Sequence, residues 1–182
     1  MEHTKHNKVW IAFFSQTGAE IADIAESLDR WPDRIITNDR PEHLRTIDPR
    51  IEEKGYFTFS NKPTLEEYEE ALFYFPEAII TLHGWLRIMP PEICNKYEIY
   101  NGHPGLITKY PELKGKDPQI RAFEAKHPVA GAVLHKVVAG VDEGRIILQE
   151  RFNTFNLELD DLFRILRDRS LYMWCRFLRR NI

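Results

Sequence analysis

The sequence predicts an α/β fold: a mostly parallel sheet with helices on both faces and an antiparallel hairpin near the C-terminal end. Three observations predict it. Residues 9–14 (VWIAFF) form a continuous apolar run, as a strand buried on both faces does. A loop, Ser15-Gln16-Thr17-Gly18, leads from it into apolar positions Ile21, Ile24, Ala25 and Leu28, the i, i+3, i+4, i+7 spacing of an amphipathic helix. A short apolar strand at 34–37 follows, which completes a βαβ unit. Near the other end, 130–138 and 145–152 both read as strands. The connection between them, 139–144, is short enough for a hairpin.

The intervening elements follow in order. Trp31-Pro32-Asp33 breaks the first helix. The stretch 38–63 is polar, carries Pro41, Pro49 and Pro63, and reads as a loop excursion with one short aromatic strand at 56–59. Thr64 with Glu67 three residues on is a capping box, opening a helix with apolar residues at Leu65, Tyr68, Leu72 and Phe75. Residues 78–82 (AIITL) give the next buried strand, 83–89 a loop, and Pro90-Pro91 starts a short helix through Cys94. A short strand at 98–101 ends on Asn101-Gly102-His103-Pro104-Gly105. Residues 105–118 are rich in Gly, Pro and Lys and read as loop, followed by a short helix at 119–125. Leu159, Leu162, Leu166, Met173 and Phe177 mark a long closing helix.

At 182 residues the chain suits one domain, 1–182, with a sizeable core. A net charge of −3 argues against a nucleic-acid polymer as partner. The arginines at 164, 167, 169, 176, 179 and 180 accordingly read as a solvated helix face. No apolar run approaches the ~20 residues that cross a bilayer, and the polar residues 1–8 do not form a signal peptide. His3 and His6 stand in that loose N-terminus and carry no reading. Cys94 and Cys175 lack metal-ligand spacing and read as buried free thiols in a reducing, cytoplasmic setting.

In open α/β sheets ligands bind beyond the carboxyl ends of the strands, where the segments 15–18, 83–89 and 101–105 fall. Asn101 and His103, two residues apart in extended backbone, point the same way. An amide donor beside an imidazole suits stabilisation of an oxyanion and proton transfer. Asp142, in the turn Gly140-Val141-Asp142-Glu143-Gly144, reads as a turn former. It gains a catalytic reading if the hairpin folds back beside His103. His135, alternating with Val133 and Val137, reads as a satisfied core histidine. The loop at Gly18 carries one glycine where a dinucleotide site wants three, so it reads as a strand-to-helix turn.

The runs LHGWLRIMPPEI, NGHPGLITKYPELKG and GAVLHKVVAGVDEGRIILQE, in that order, resemble the core of the 10-formyltetrahydrofolate-dependent formyltransferases, most of all those acting on glycinamide ribonucleotide. The resemblance covers about 79–150 and implies a Rossmann-like fold. It implies that Asn101, His103 and Asp142 are the catalytic residues. Leu86, Arg87, Ile88 and Met89 would line the folate cleft, with Ala139, Gly140 and Val141 covering the pteridine. The expected co-substrate is 10-formyltetrahydrofolate with no metal. The partners are a small-molecule amine acceptor and the folate, with no membrane and a homodimer left open.

Thr17, Gly18, Glu20, Pro104 and Asp168 are the expected acceptor-binding residues by the same resemblance. In the glycinamide ribonucleotide enzymes the first loop is a Gly-x-Gly-Ser-Asn turn that binds phosphate. Here Gln16, Thr17, Gly18, Ala19 and Glu20 stand in its place, and an acid suits a cationic or hydroxylated acceptor. The lysines of 114–119 are open to two readings, anion binding or solvent exposure. The chain ends at Ile182 without the further domain of the methionyl-tRNA formyltransferases, so a transfer-RNA acceptor is not expected. The expected function is N-formyl transfer to a small amine. The alternatives are a 10-formyltetrahydrofolate hydrolase, which usually carries an additional N-terminal domain, and a folate-binding module without turnover.

Overall fold

A computed structural model of the chain describes residues 7–39 and 46–182. Pro41 and the N-terminal residues 1–6, with His3 and His6, lie outside the described residues. One seven-stranded sheet has the order β3-β2-β1-β4-β5-β6-β7. Strands β1 (Trp10–Phe14), β2 (Arg34–Asn38), β3 (Phe57–Phe59), β4 (Ile79–His83) and β5 (Glu98–His103) pair in parallel. Strands β6 (Val129–Lys136) and β7 (Ile146–Asn153) close the sheet antiparallel. The fold class is the expected one, hairpin included.

Every residue of β1 and β4 is buried, because helices cover both faces. On one face Trp10, Ala12 and Phe14 pack with Ile21 and Ile24 of α1 (Ala19–Leu28) and with Met173, Trp174 and Phe177 of α6 (Leu159–Asn181). On the other, Ile11, Phe13 and Ile80 pack with Tyr68 and Leu72 of α3 (Leu65–Leu72) and Ile93 of α4 (Pro91–Lys96). The period-2 alternation of β5 sorts its residues the same way. Tyr100 joins the α1/α6 face, and Ile99 the α3/α4 face.

Thr64 and Glu67 form the expected capping box at α3. The stretch 38–63 is corrected: besides β3 it holds α2 (Pro49–Lys54). Pro49 is no loop signal, because it sits in the first helical turn, where its missing N–H costs nothing. The Asp48 side chain caps that helix by accepting from the Arg50 amide at 2.9 Å. Strand β5 runs two residues further than expected, through His103, because β6 pairs with it up to the His103–Val133 position. The loop 105–118 contains a single 3-10 turn, Pro111–Leu113, and is followed by α5 (Pro118–Glu124). Cys94 and Cys175 are buried free thiols. Among the described residues no helix is long and apolar enough to cross a membrane.

Candidate active site

The site is built on the last residues of β5. Asn101 and His103 share a face with Ile99, and β6 sets His135 directly opposite Asn101. A β-bulge interrupts the β6–β7 pairing between Leu134 and His135, a device that re-aims a side chain. The turn between β6 and β7 folds back over this face. There Asp142, at φ 53°, brings its carboxylate between the two imidazoles. Its Oδ2 lies 3.2 Å from His103 Nδ1, and its Oδ1 3.3 Å from His135 Nε2. The Gly115 amide donates to Oδ2 at 2.9 Å, and Asn101 Nδ2 stands 3.3 Å from His135 Nε2.

Both imidazoles are held by the same arrangement. His103 Nε2 meets the Leu113 carbonyl at 2.8 Å, and His135 Nδ1 the Lys136 carbonyl at 3.0 Å. A carbonyl can only accept, so each of those nitrogens carries its proton. The remaining nitrogen of each ring faces Asp142. The group can therefore take up, hold and return a proton between the carboxylate and His103. Burial pushes the His103 imidazolium below its ordinary value, further than the Asp142 charge and the Leu113 carbonyl raise it. Burial also acts to raise the Asp142 carboxyl, but His135, the Gly115 amide and His103 outweigh it and hold it low. His103 is thus neutral at rest and Asp142 ionised. A glycine is required at 105, where a Cβ would stand 2.8 Å from Pro118 and 3.0 Å from His103 Nε2.

His135 is buried and hydrogen-bonded, as a core histidine should be, yet its partners are the site residues themselves. Reading it as core alone missed this. The signal was its position two residues past Val133, opposite Asn101, which needs the strand register to be seen. Exposed apolar side chains occupy two of the neighbouring loops. Leu86 and Ile88 are 41% and 81% exposed in the loop after β4, and Val138 and Val141 are 40% and 54% exposed in the β6–β7 turn. Ala139 and Gly140 are exposed in the same turn. Arg87 is pinned to Asn61 through Nε and Nη2, each at 2.6 Å, and Met89 is buried in the core. Those two fix the loop while Leu86 and Ile88 present it. Pro104 is half-buried beside His103, and Lys114 and Lys116 are exposed.

The remaining predicted residues gather on the opposite face. Gly18, at φ 74°, takes the N-cap position of α1, with Thr17 Oγ1 accepting from the Ala19 amide at 3.3 Å. Glu20 Oε1 pairs with His83 Nδ1 at 2.8 Å, and Ser170 Oγ donates to Glu20 Oε2 at 2.8 Å. Asp168 is not part of this group: it is exposed on α6, and Ser170, about half a turn round the helix, faces Glu20 instead. Among the described residues no cluster of His, Cys, Asp and Glu is arranged to hold a metal ion.

Comparison with known proteins places the chain in a family. Residues 46–163 match the family model described as formyl transferase. The chain is 33% identical over 120 residues to phosphoribosylglycinamide formyltransferase of Schizosaccharomyces pombe, a match covering 60% of this chain and 56% of that protein. It is 28% identical over 154 residues to formyltetrahydrofolate deformylase of Bacillus subtilis, covering 81% of this chain and 46% of that one. The chain thus spans about half the length of these curated relatives. In fold it superposes on the crystal structure of phosphoribosylglycinamide formyltransferase from Bacillus halodurans with a TM-score of 0.78 at 23% identity, covering 95% of this chain and 94% of the other.

Proposed function

Because the chain belongs to the formyl transferase family, we propose that it carries a formyl group from 10-formyltetrahydrofolate to a primary amine of a small molecule. The observation that carries this reading is Asp142 held between His103 Nδ1 and His135 Nε2 with the Asn101 amide alongside. The folate is a substrate here, and the exposed apolar residues Leu86, Ile88, Val138 and Val141 suit its ring system.

Asn101 Nδ2 donates to the formyl oxygen as the amine attacks the formyl carbon. Asp142 takes the proton the amine gives up, directly or through water, and passes it to His103 Nδ1. His103, neutral at rest, becomes cationic as the oxyanion forms, with its Nε2–H still anchored on Leu113. That proton then goes to the folate nitrogen as its bond to the formyl carbon breaks, and the group returns to its starting state. Held geometry and a prearranged donor would supply most of the rate.

Loss of proton transfer costs about 10²–10⁴-fold. His103→Ala and Asp142→Ala are therefore expected to reduce tetrahydrofolate release by about that factor while leaving folate binding largely intact. Near-normal turnover in both variants would overturn the mechanism. A second reading, hydrolysis of the same donor, is favoured by the longer match to a deformylase. Formate release without any amine separates the two. The two buried free thiols support a reducing, cytoplasmic setting.

A further inference from the structure

The catalytic group does not use a second cluster of buried polar side chains, which lies on the other side of β5. The strand order changes direction between β1 and β4, so this is the crevice in which an open α/β sheet binds its ligand. Its walls are the β1–α1 loop and the carboxyl end of β4, tied together where the Ser15 amide donates to the Gly84 carbonyl at 3.2 Å and the Leu86 amide to Ser15 Oγ at 3.0 Å. Glu20 lies in the first turn of α1, and its side chain is 32% exposed while that of His83 is 1% exposed.

The polar bonds form a chain. Ser170 donates to one Glu20 oxygen and His83 Nδ1 meets the other. His83 Nε2 meets Thr81 Oγ1 at 2.8 Å, which also accepts from Trp10 Nε1 at 2.8 Å. Trp174 lies against His83, ring centroids 4.6 Å apart. Its indole N–H is buried with no hydrogen-bond partner among the described residues. That nitrogen lies 3.0 Å from where a side chain on Gly102 would begin, directly behind the backbone between Asn101 and His103.

A bare helix N-terminus attracts anions. This one carries a fixed carboxylate. Burial acts to raise the Glu20 carboxyl, but the hydrogen bonds of His83 and Ser170 and the His83 charge hold it below its ordinary value. We propose that Glu20, locked by His83 and Ser170, sets the acceptor class: a primary amine bearing hydroxyl groups, with no phosphomonoester at this end. Glu20 takes hydrogen bonds from the hydroxyls and repels a phosphate dianion. His83 and Ser170, which hold Glu20 in place, are thereby specificity residues. This rests on the transfer reading above.

The test uses two probes. The first is competition between glucosamine and glucosamine 6-phosphate in a 10-formyltetrahydrofolate-dependent assay. The second is direct titration with ribose 5-phosphate. Like charges brought together are strongly disfavoured, so the wild-type protein is expected to prefer glucosamine by about tenfold or more in kcat/KM and not to bind ribose 5-phosphate at millimolar concentration. Glu20→Gln is expected to erase most of that preference through the acceptor KM, leaving the donor KM unchanged. Glu20→Asp, which keeps the charge, should retain it. Preference for the sugar phosphate in wild type, submillimolar ribose 5-phosphate binding, or unchanged discrimination in a folded Glu20→Gln protein would overturn the proposal. If no formyl transfer occurs at all but ribose 5-phosphate binds only to Glu20→Gln, the transfer reading fails while the exclusion of phosphate by Glu20 stands.

Discussion

His135 decides how Asp142 is used. Without it, one carboxylate oxygen would face no ring nitrogen, and His103 would lose a neighbour whose charge opposes its own protonation. The rate should rise with pH as His103 loses its proton, and level off below the ordinary imidazole value because burial depresses that group. Changing His135 to Phe keeps the ring and removes both nitrogens. Asp142 loses one of the two rings between which it is held, so kcat/KM should fall by about tenfold, part of the roughly 10²–10⁴ that positioned proton transfer contributes. The acid limb should also move to higher pH, since a lowering influence on His103 is gone. Asp142→Asn should move the limb the other way, because the carboxylate is what raises it. A packing role alone would change the rate without moving the limb, and that outcome would reject the assignment.

At the scale of elements, β5 is a partition with a gap. Asn101 and His103 project to one side, and Gly102 leaves room for Trp174 on the other. A methyl group at 102 would press on a buried indole that lies against His83. Overpacking of this kind costs about 1–3 kcal/mol. Gly102→Ala should therefore lower the urea midpoint at unchanged slope and raise the acceptor KM more than the donor KM. An unchanged midpoint would show that Trp174 moves aside freely. Gly102 also marks what could be read in advance. The apolar runs of β1 and β4, the capping box at Thr64 and the hairpin were visible because each is a local pattern of burial or turn chemistry. The reunion of Asn101, His103 and Asp142 was legible as a condition, met once the turn folds back. Helix α2 was hidden because Pro49 and its polar neighbours signal a loop and an N-cap alike. His83, Ser170 and Trp174 were missed for a different reason: 63 and 150 residues separate Glu20 from its two hydrogen-bond partners, and no periodicity links them.

Across the whole molecule, the two clusters make folding and function depend on pH in the same direction. Glu20 and Asp142 both bind a proton less well in the folded chain than in the unfolded one, and so does His103. Acidification therefore adds protons preferentially to the unfolded chain, and stability rises with pH over this range. The two carboxylates contribute fully above their unfolded values, and that contribution is lost as pH falls through their depressed folded values. For His103 the loss sets in earlier, as pH falls below the ordinary imidazole value toward its lower folded one. The urea midpoint should therefore be lower at pH 5 than at pH 7, and lower again at pH 4, with the slope unchanged. The paired change Glu20→Gln with Asp142→Asn removes two titrating groups. It should flatten the step between pH 5 and pH 4 more than the step between pH 7 and pH 5, where His103 still titrates. A wild-type midpoint that stays level from pH 7 to pH 4 would mean that neither cluster holds its charge against burial. The electrostatic basis of both the proton relay and the acceptor wall would then fail together.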